Sequence, residues 1–346
     1  MNPSWLAFLK SQHVIIKNGR TLNFGNAAAE LKHTKNETVT VDLSHLGLIQ
    51  FSGEDAQAFL QGQLTCDVIK VKSDMAQYGG YCTPKGRLLA SFLLWQKDGY
   101  LMQLPAGLCA AIQQRLSLFV LRAKVQLTNI SDKFIRIGVA GKNARMLAEQ
   151  VAGVKFDTGQ RLAVQHNEQT SIICLAPNRF EFVANIEYAP TLWTYLTENA
   201  IPAGADCWDW LDIQSGIPVI LPATQEEFIP QMVNLDAIGG VSFQKGCYPG
   251  QEIVARTQYL GKIKRHMHLA HIATDTPVTP GDDLVSPSTA EQSCGKIVNA
   301  APALNGGYDV LAVIQVSSTE AGKVHWKALN GPVLEISPPP YSISPD

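Results

Sequence analysis

The densest chemistry in this sequence lies between Ile238 and Arg256, which reads IGGVSFQKGCYPGQEIVAR. Glycines at 239, 240, 246 and 250 let the backbone approach a ligand closely and take positive φ. Cys247 sits among them, two residues after Lys245. Pro249-Gly250 breaks the chain, and Gln251–Arg256 is expected to open a helical turn. A thiol just before a helix N-terminus and near an ammonium ionises more easily, and the thiolate is the nucleophile and the metal ligand. Gln251 and Glu252 are polar groups suited to hydrogen bonds with a heterocycle. The competing reading of a free cysteine is a small buried hydrophobe. It is the reading preferred for the cysteines at 66, 82, 109, 174, 207 and 294. Residue chemistry alone makes Cys247 a reactive or ligand-facing thiol and no more.

Two other stretches carry candidate groups. Lys262, Lys264, Arg265, His266, His268 and His271 form a basic run, either a positive rim for an anionic ligand or acidic partner, or a solvated strand face. His266 and His268 would share one strand face, but no third ligand accompanies them, so no metal site is expected. Trp208 and Trp210 alternate beside Asp209 and Asp212, as core or ligand-wall aromatics. Trp5, Trp95, Trp193 and Trp326 read as packing residues.

The elements that must position these groups fall into blocks. Residues 1–36 carry no strong period and read as a peripheral lead-in. Apolar residues at 56, 59, 60 and 64 predict a helix over Glu54–Leu64. Strands are expected at Leu88–Trp95 and Tyr100–Leu104 around a Lys97-Asp98-Gly99 turn, then a helix near Leu108–Leu116. Within 133–200 the order is strand, helix, three strands, helix, which suggests a ferredoxin-like unit inserted into the first domain. Residues 263–340 look all-β, a small barrel or sandwich, with Pro338-Pro339-Pro340 ending the last strand before a frayed tail. The fold class expected is therefore α+β.

Composition narrows the function. The 346 residues are 46% hydrophobic and 17% charged, with formal net charge -2. Such a balance gives no global pull toward nucleic acid or anionic membrane, so no direct nucleic-acid binding is expected. Trp5–Leu9 is too short for a signal peptide, and no apolar run reaches membrane-spanning length. Seven widely spaced cysteines without a C-x-x-C pair fit a reducing cytosol.

The run Lys245-Gly246-Cys247-Tyr248-Pro249-Gly250-Gln251-Glu252 resembles the K-G-C-Y-x-G-Q-E motif of the YgfZ family at every position. Phe228-Ile229-Pro230-Gln231, Asn234-Leu235, Gly239-Gly240 and Phe243 resemble the family's run-up to the cysteine. Arg256, Gly261, Lys264 and Arg265 resemble its continuation. Gln61-Gly62-Gln63-Leu64-Thr65 with Asp67, then Lys85-Gly86-Arg87, resemble its N-terminal blocks, as do Trp208, Leu211, Gly216 and Pro218. The resemblance spans roughly residues 40–340. It implies a fold like that of the glycine-cleavage T-protein, an aminomethyltransferase. That fold has a discontinuous folate-binding domain (37–132 and 201–262), a ferredoxin-like domain (133–200) and a C-terminal β-barrel (263–340).

The same resemblance implies tetrahydrofolate as the ligand, with Trp208, Tyr248, Gln251, Glu252 and Arg256 at its site and Cys247 and Lys245 as the chemical groups. The chain has Leu46 where the family has its other folate-site tryptophan. Ala90 and Ser91 stand where the T-protein has an aspartate, and neither can do its acid–base work. The expectation is thus a folate-binding accessory factor, without stand-alone turnover, for iron–sulfur protein maturation and through it tRNA modification. Its partners would be iron–sulfur client or assembly proteins. A folate-dependent aminomethyltransferase or demethylase acting on a small amine is the alternative, and direct action on tRNA ranks third.

Overall fold

The structure is a computed structural model and describes all residues except 158, 159, 262, 290, 291 and 344–346. Lys262 of the basic run lies outside the described residues. The chain forms two compact, discontinuous units. The first comprises Met1–Ala56, Ile69–Gln77 and Leu93–Trp208, and the second Gln57–Val68, Tyr78–Phe92 and Asp209–Asp346.

A six-stranded sheet organises the first unit. Its order is Val164–His166, Thr170–Ala176, Arg179–Asn185, Phe134–Ala140, Val39–Asp42 and Ile201–Ala203. All pairs are antiparallel except the last, Ile201–Ala203 beside Val39–Asp42. Alternation sorts the residues. Ile135, Ile137, Val139, Phe180 and Phe182 join the core with Leu147, Leu192 and Trp193 from helices Ala144–Ala152 and Ala189–Thr197. Arg136, Gly138, Arg179 and Glu181 are left on the opposite face, because successive strand residues point to opposite sides. The elements expected within 133–200 are present within a few residues. The sheet takes its two remaining strands from 39–42 and 201–203.

Residues 1–36 are not peripheral. Asn2 caps the helix Pro3–Lys10 through Ser4 N–H, and Trp5 and Leu9 of that helix are fully buried in the same core. The Trp5 indole donates to Asp42 at 2.8 Å, joined by Thr21 at 2.7 Å and Ser44 at 2.6 Å. Burial pushes the Asp42 carboxyl up, and these donors hold it. The helix is only eight residues long, too short for a periodic pattern to stand out. In the same unit Tyr100–Pro105 pairs with Leu46–Ser52, which also pairs with Gln126–Asn129. Lys97-Asp98-Gly99 makes the expected turn, with positive φ at Asp98 and Gly99.

The second unit holds a curled antiparallel half-barrel. Its order is His325–Trp326, Asp283–Val285, Ser293–Pro302, Tyr308–Gln315, Arg265–Ile272 and Leu334–Ser337. Ile272, Leu284, Ile297, Val310, Ala312, Ile314 and Trp326 form its core. The last strand ends at Ser337, before the three prolines. Just beyond them Tyr341 is held, its hydroxyl donating to Gly216 O at 2.8 Å, while residues 344–346 of the tail expected to fray lie outside the described residues. Among the described residues no helix is long and apolar enough to cross a membrane, and no group of three or more His, Cys, Asp or Glu is arranged to hold a metal.

Candidate functional site

The helix Gln251–Leu260 begins where the sequence suggested. Its N-cap is Gly250 at φ 84°, with no side-chain cap. Gly250 is required by packing as well as by φ, because a Cβ there would lie 2.5 Å from Thr83 O and 2.6 Å from Gly86 Cα. Gly86 is itself at φ 71°. The Lys85-Gly86-Arg87 turn is thus the surface on which the cysteine loop seats. Of the other glycines, Gly240 is pressed against Leu235, while Gly239 and Gly246 face open space.

Lys245 does something different from what its position suggested. Its ammonium donates to the carbonyls of Gln61 at 2.6 Å, Leu64 at 2.6 Å and Cys66 at 3.0 Å. It lies 5.1 Å from the centre of the Tyr248 ring. Burial pulls its pKa down to about 8. The ammonium therefore clasps the Gln61–Cys66 turn. Thr65 fastens the same junction, donating to Gly240 O at 2.6 Å and accepting from Gly80 N–H at 2.8 Å. These bonds explain why motif blocks nearly 180 residues apart occur together.

Cys247 is exposed, and the other six cysteines are buried. Desolvation pushes the thiols of Cys66 and Cys82 up to about 12, which keeps them inert. Tyr248 is buried, and burial raises its phenol pKa. Gln251 is half-buried, with its amide nitrogen 3.5 Å from Lys245 O. Glu252 and Arg256 are exposed and make no hydrogen bond or ion pair among the described residues. Lys245, Cys247, Tyr248 and Gln251 are therefore one local constellation on the second unit.

Trp208 belongs to the first unit and is 2% exposed. One face of its indole packs on Gly138, where a Cβ would collide with the ring. The Arg179 guanidinium lies 4.0 Å from its ring centre. Both faces are covered, so the indole is a wall element and offers no open ring for stacking. Beside Arg179 on the same strand face, Glu181 accepts from the Gln103 amide at 3.0 Å. Gln103 Oε1 is buried and has no hydrogen-bond partner. The pair thus sets a buried, unfilled amide acceptor beside a buried carboxylate. Sequence reasoning missed Gln103 and Glu181. The signal available was a carboxylate placed between Phe180 and Phe182 in a strand that is otherwise apolar. Leu46 is half-buried, and its carbonyl accepts a hydrogen bond from Arg136.

On the second unit Ala90 is fully buried, and Ser91 is committed to structure. The Ser91 hydroxyl donates to Pro218 O and accepts from Ile220 N–H, both at 2.9 Å. Neither position presents an acid or a base.

Comparison with known proteins now places the chain. The family model described as the GCVT N-terminal domain matches residues 6–243. The solved aminomethyltransferase T of the glycine cleavage system from Bartonella henselae superposes with a TM-score of 0.76 at 15% identity, covering 96% of this chain and 95% of that one. The chain thus has the T-protein fold. Among curated relatives, the tRNA-modifying protein YgfZ of Vibrio vulnificus (strain YJ016) is 37% identical over 227 residues, covering 65% of this chain and 68% of the relative. That of Colwellia psychrerythraea is 31% identical over 282 residues, covering 80% and 86%. The chain belongs to the YgfZ family.

Proposed function

We propose that this chain binds tetrahydrofolate and serves as an accessory factor in the maturation or repair of iron–sulfur proteins, supporting tRNA modification through them. Its relatives are tRNA-modifying proteins by name, and its fold is that of a glycine-cleavage aminomethyltransferase. One observation carries the reading: Cys247, in the family motif, is the exposed thiol of seven. A cluster is usually held by four thiolates. One exposed thiol cannot complete that set, so Cys247 works with thiols supplied by a client or assembly protein. The absence of a carboxylate at 90 and 91 supports this reading over a glycine-cleavage type of transfer.

The residues of the first unit fit folate on their donor and acceptor chemistry. Glu181 and Gln103 would hold the N–H groups of its pterin ring, and Trp208 would shape that wall through Arg179. Bound tetrahydrofolate supplies a nucleophilic nitrogen that carries one-carbon units. Tyr248, Gln251, Glu252 and Arg256 are proposed as further ligand-facing positions. In this reading residues 37–132 with 201–262 make the folate-binding domain, 133–200 is the ferredoxin-like domain from which Glu181 and Arg179 are contributed, and 263–340 is the C-terminal barrel domain. The site of action is the cytosol.

The test is complementation in a bacterial strain lacking its own family member. Cys247→Ala is expected to leave iron–sulfur enzyme activity and tRNA modification as low as the empty vector does. Full restoration by Cys247→Ala, at equal protein level, overturns the role given to the thiol.

A further inference from the structure

The chain between helix Ala106–Ser117 and strand Gln126–Asn129 displays apolar side chains that the folate reading does not use. Leu118 is 71% exposed, Phe119 46% and Leu121 88%. Isolated exposed leucines are ordinary, but three large apolar groups within four residues make a patch.

The segment is built to hold them out. Phe119 N–H bonds Leu116 O, Val120 N–H bonds Ser117 O, and Ala123 N–H bonds Val120 O. At its far end Lys124 N–H donates to the Asp55 carboxylate at 2.7 Å, and Lys124 O accepts from Asp55 N–H. Gly53 lies so close to Lys124 O that any Cβ there would collide. Leu121 itself takes φ 47°, a conformation that costs an L-residue energy and persists only where the surroundings impose it. No packing among the described residues accounts for a leucine held at that φ with its side chain 88% exposed.

Charge indicates what. Arg115 and Arg122 flank the patch, exposed, with no ion pair or hydrogen bond among the described residues. Arginine beside an exposed aromatic such as Phe119 matches the enrichment seen at interface centres. The chain as a whole carries net charge -2. That net charge is screened beyond roughly 8 Å, so a partner meets the two local cations; an RNA phosphate backbone would leave the three apolar side chains unburied, whereas an apolar pocket rimmed by carboxylates meets both.

We propose that the 115–122 tip docks a protein partner through an apolar pocket rimmed by Asp or Glu. The inference does not depend on folate binding or on Cys247. It is tested in cells with the full chain carrying the photoreactive residue p-benzoylphenylalanine at Leu118, and separately at Leu329 as an exposed control. Irradiation is expected to give a discrete protein adduct from position 118 and not from 329, with the cross-linked peptide rich in Asp and Glu. Changing both Arg115→Glu and Arg122→Glu should lower adduct yield at least 10-fold. Leu121→Gly should lower it similarly without lowering thermal stability, because glycine accepts the same positive φ. That variant separates a lost contact from a lost fold. Adducts to lipid or RNA alone, a yield unchanged by charge reversal, or the same products from both positions would overturn the proposal.

Discussion

Gly246 and Gly250 stand four residues apart in one motif, and the structure gives them opposite consequences on substitution. Alanine at 250 must take φ 84°, which costs about 1 kcal/mol. Its Cβ would also lie 2.5 Å from Thr83 O, 2.6 Å from Gly86 Cα and 2.7 Å from Gly86 N. All of these are backbone atoms, so no flexible side chain can swing aside. Relief requires the Thr83–Gly86 turn to move by the better part of an ångström, and overpacking of that kind costs about 1–3 kcal/mol. Gly250→Ala should therefore destabilise the second unit by about 2–4 kcal/mol. A Cβ at Gly246 meets nothing within 4 Å, so Gly246→Ala should stay within about 0.5 kcal/mol of wild type. Urea denaturation of the two variants, followed by tryptophan fluorescence with slopes compared, measures the difference. Equal midpoints would refute the claim that the cysteine loop seats on the Lys85–Arg87 turn.

Three further outcomes follow from the same contacts. In the native protein a thiol reagent should modify one cysteine rapidly and the other six only on unfolding, with the fast phase absent in Cys247→Ser; two fast thiols would contradict the burial pattern. Lys245 should titrate near 8 by NMR of a labelled lysine, against 10.5 for an ordinary lysine. Since its folded pKa lies below the unfolded one, the unfolded chain holds more protons between those values. Wild type should then gain stability relative to Lys245→Met as pH rises from about 8 toward 10.5; a falling difference would contradict the assigned burial. Asp42→Asn cannot accept equally from Trp5, Thr21 and Ser44, and should cost about 2 kcal/mol in thermal unfolding, with no change if those bonds are incidental.

Much of this architecture could be read from the residues. The order of strands and helices expected within 133–200 is found in the first sheet and its helices, and the long match around Cys247 announced the family. Three things were not legible, each for a physical reason. The N-terminal helix is stabilised by long-range burial of Trp5 and Leu9, which no local period reports. Lys245 stands two residues from Cys247 in the chain, yet its ammonium goes to carbonyls about 180 positions away, and nearness in sequence says nothing about that direction. Gln103 and Glu181 lie on different sheets and meet only through the tertiary fold. Trp208 read as a core or ligand-wall aromatic, and its burial against Gly138 and Arg179, distant in sequence, was not legible.

The proposed folate site in the first unit rests on Glu181 and Gln103. Calorimetric titration of tetrahydrofolate into wild type, Glu181→Gln and Gln103→Ala reads their contribution. Saturable binding by wild type is expected, with at least a 10-fold weaker Kd, about 1.4 kcal/mol, for each variant that remains folded. No binding by wild type at millimolar folate, or equal affinity in all three proteins, would contradict it.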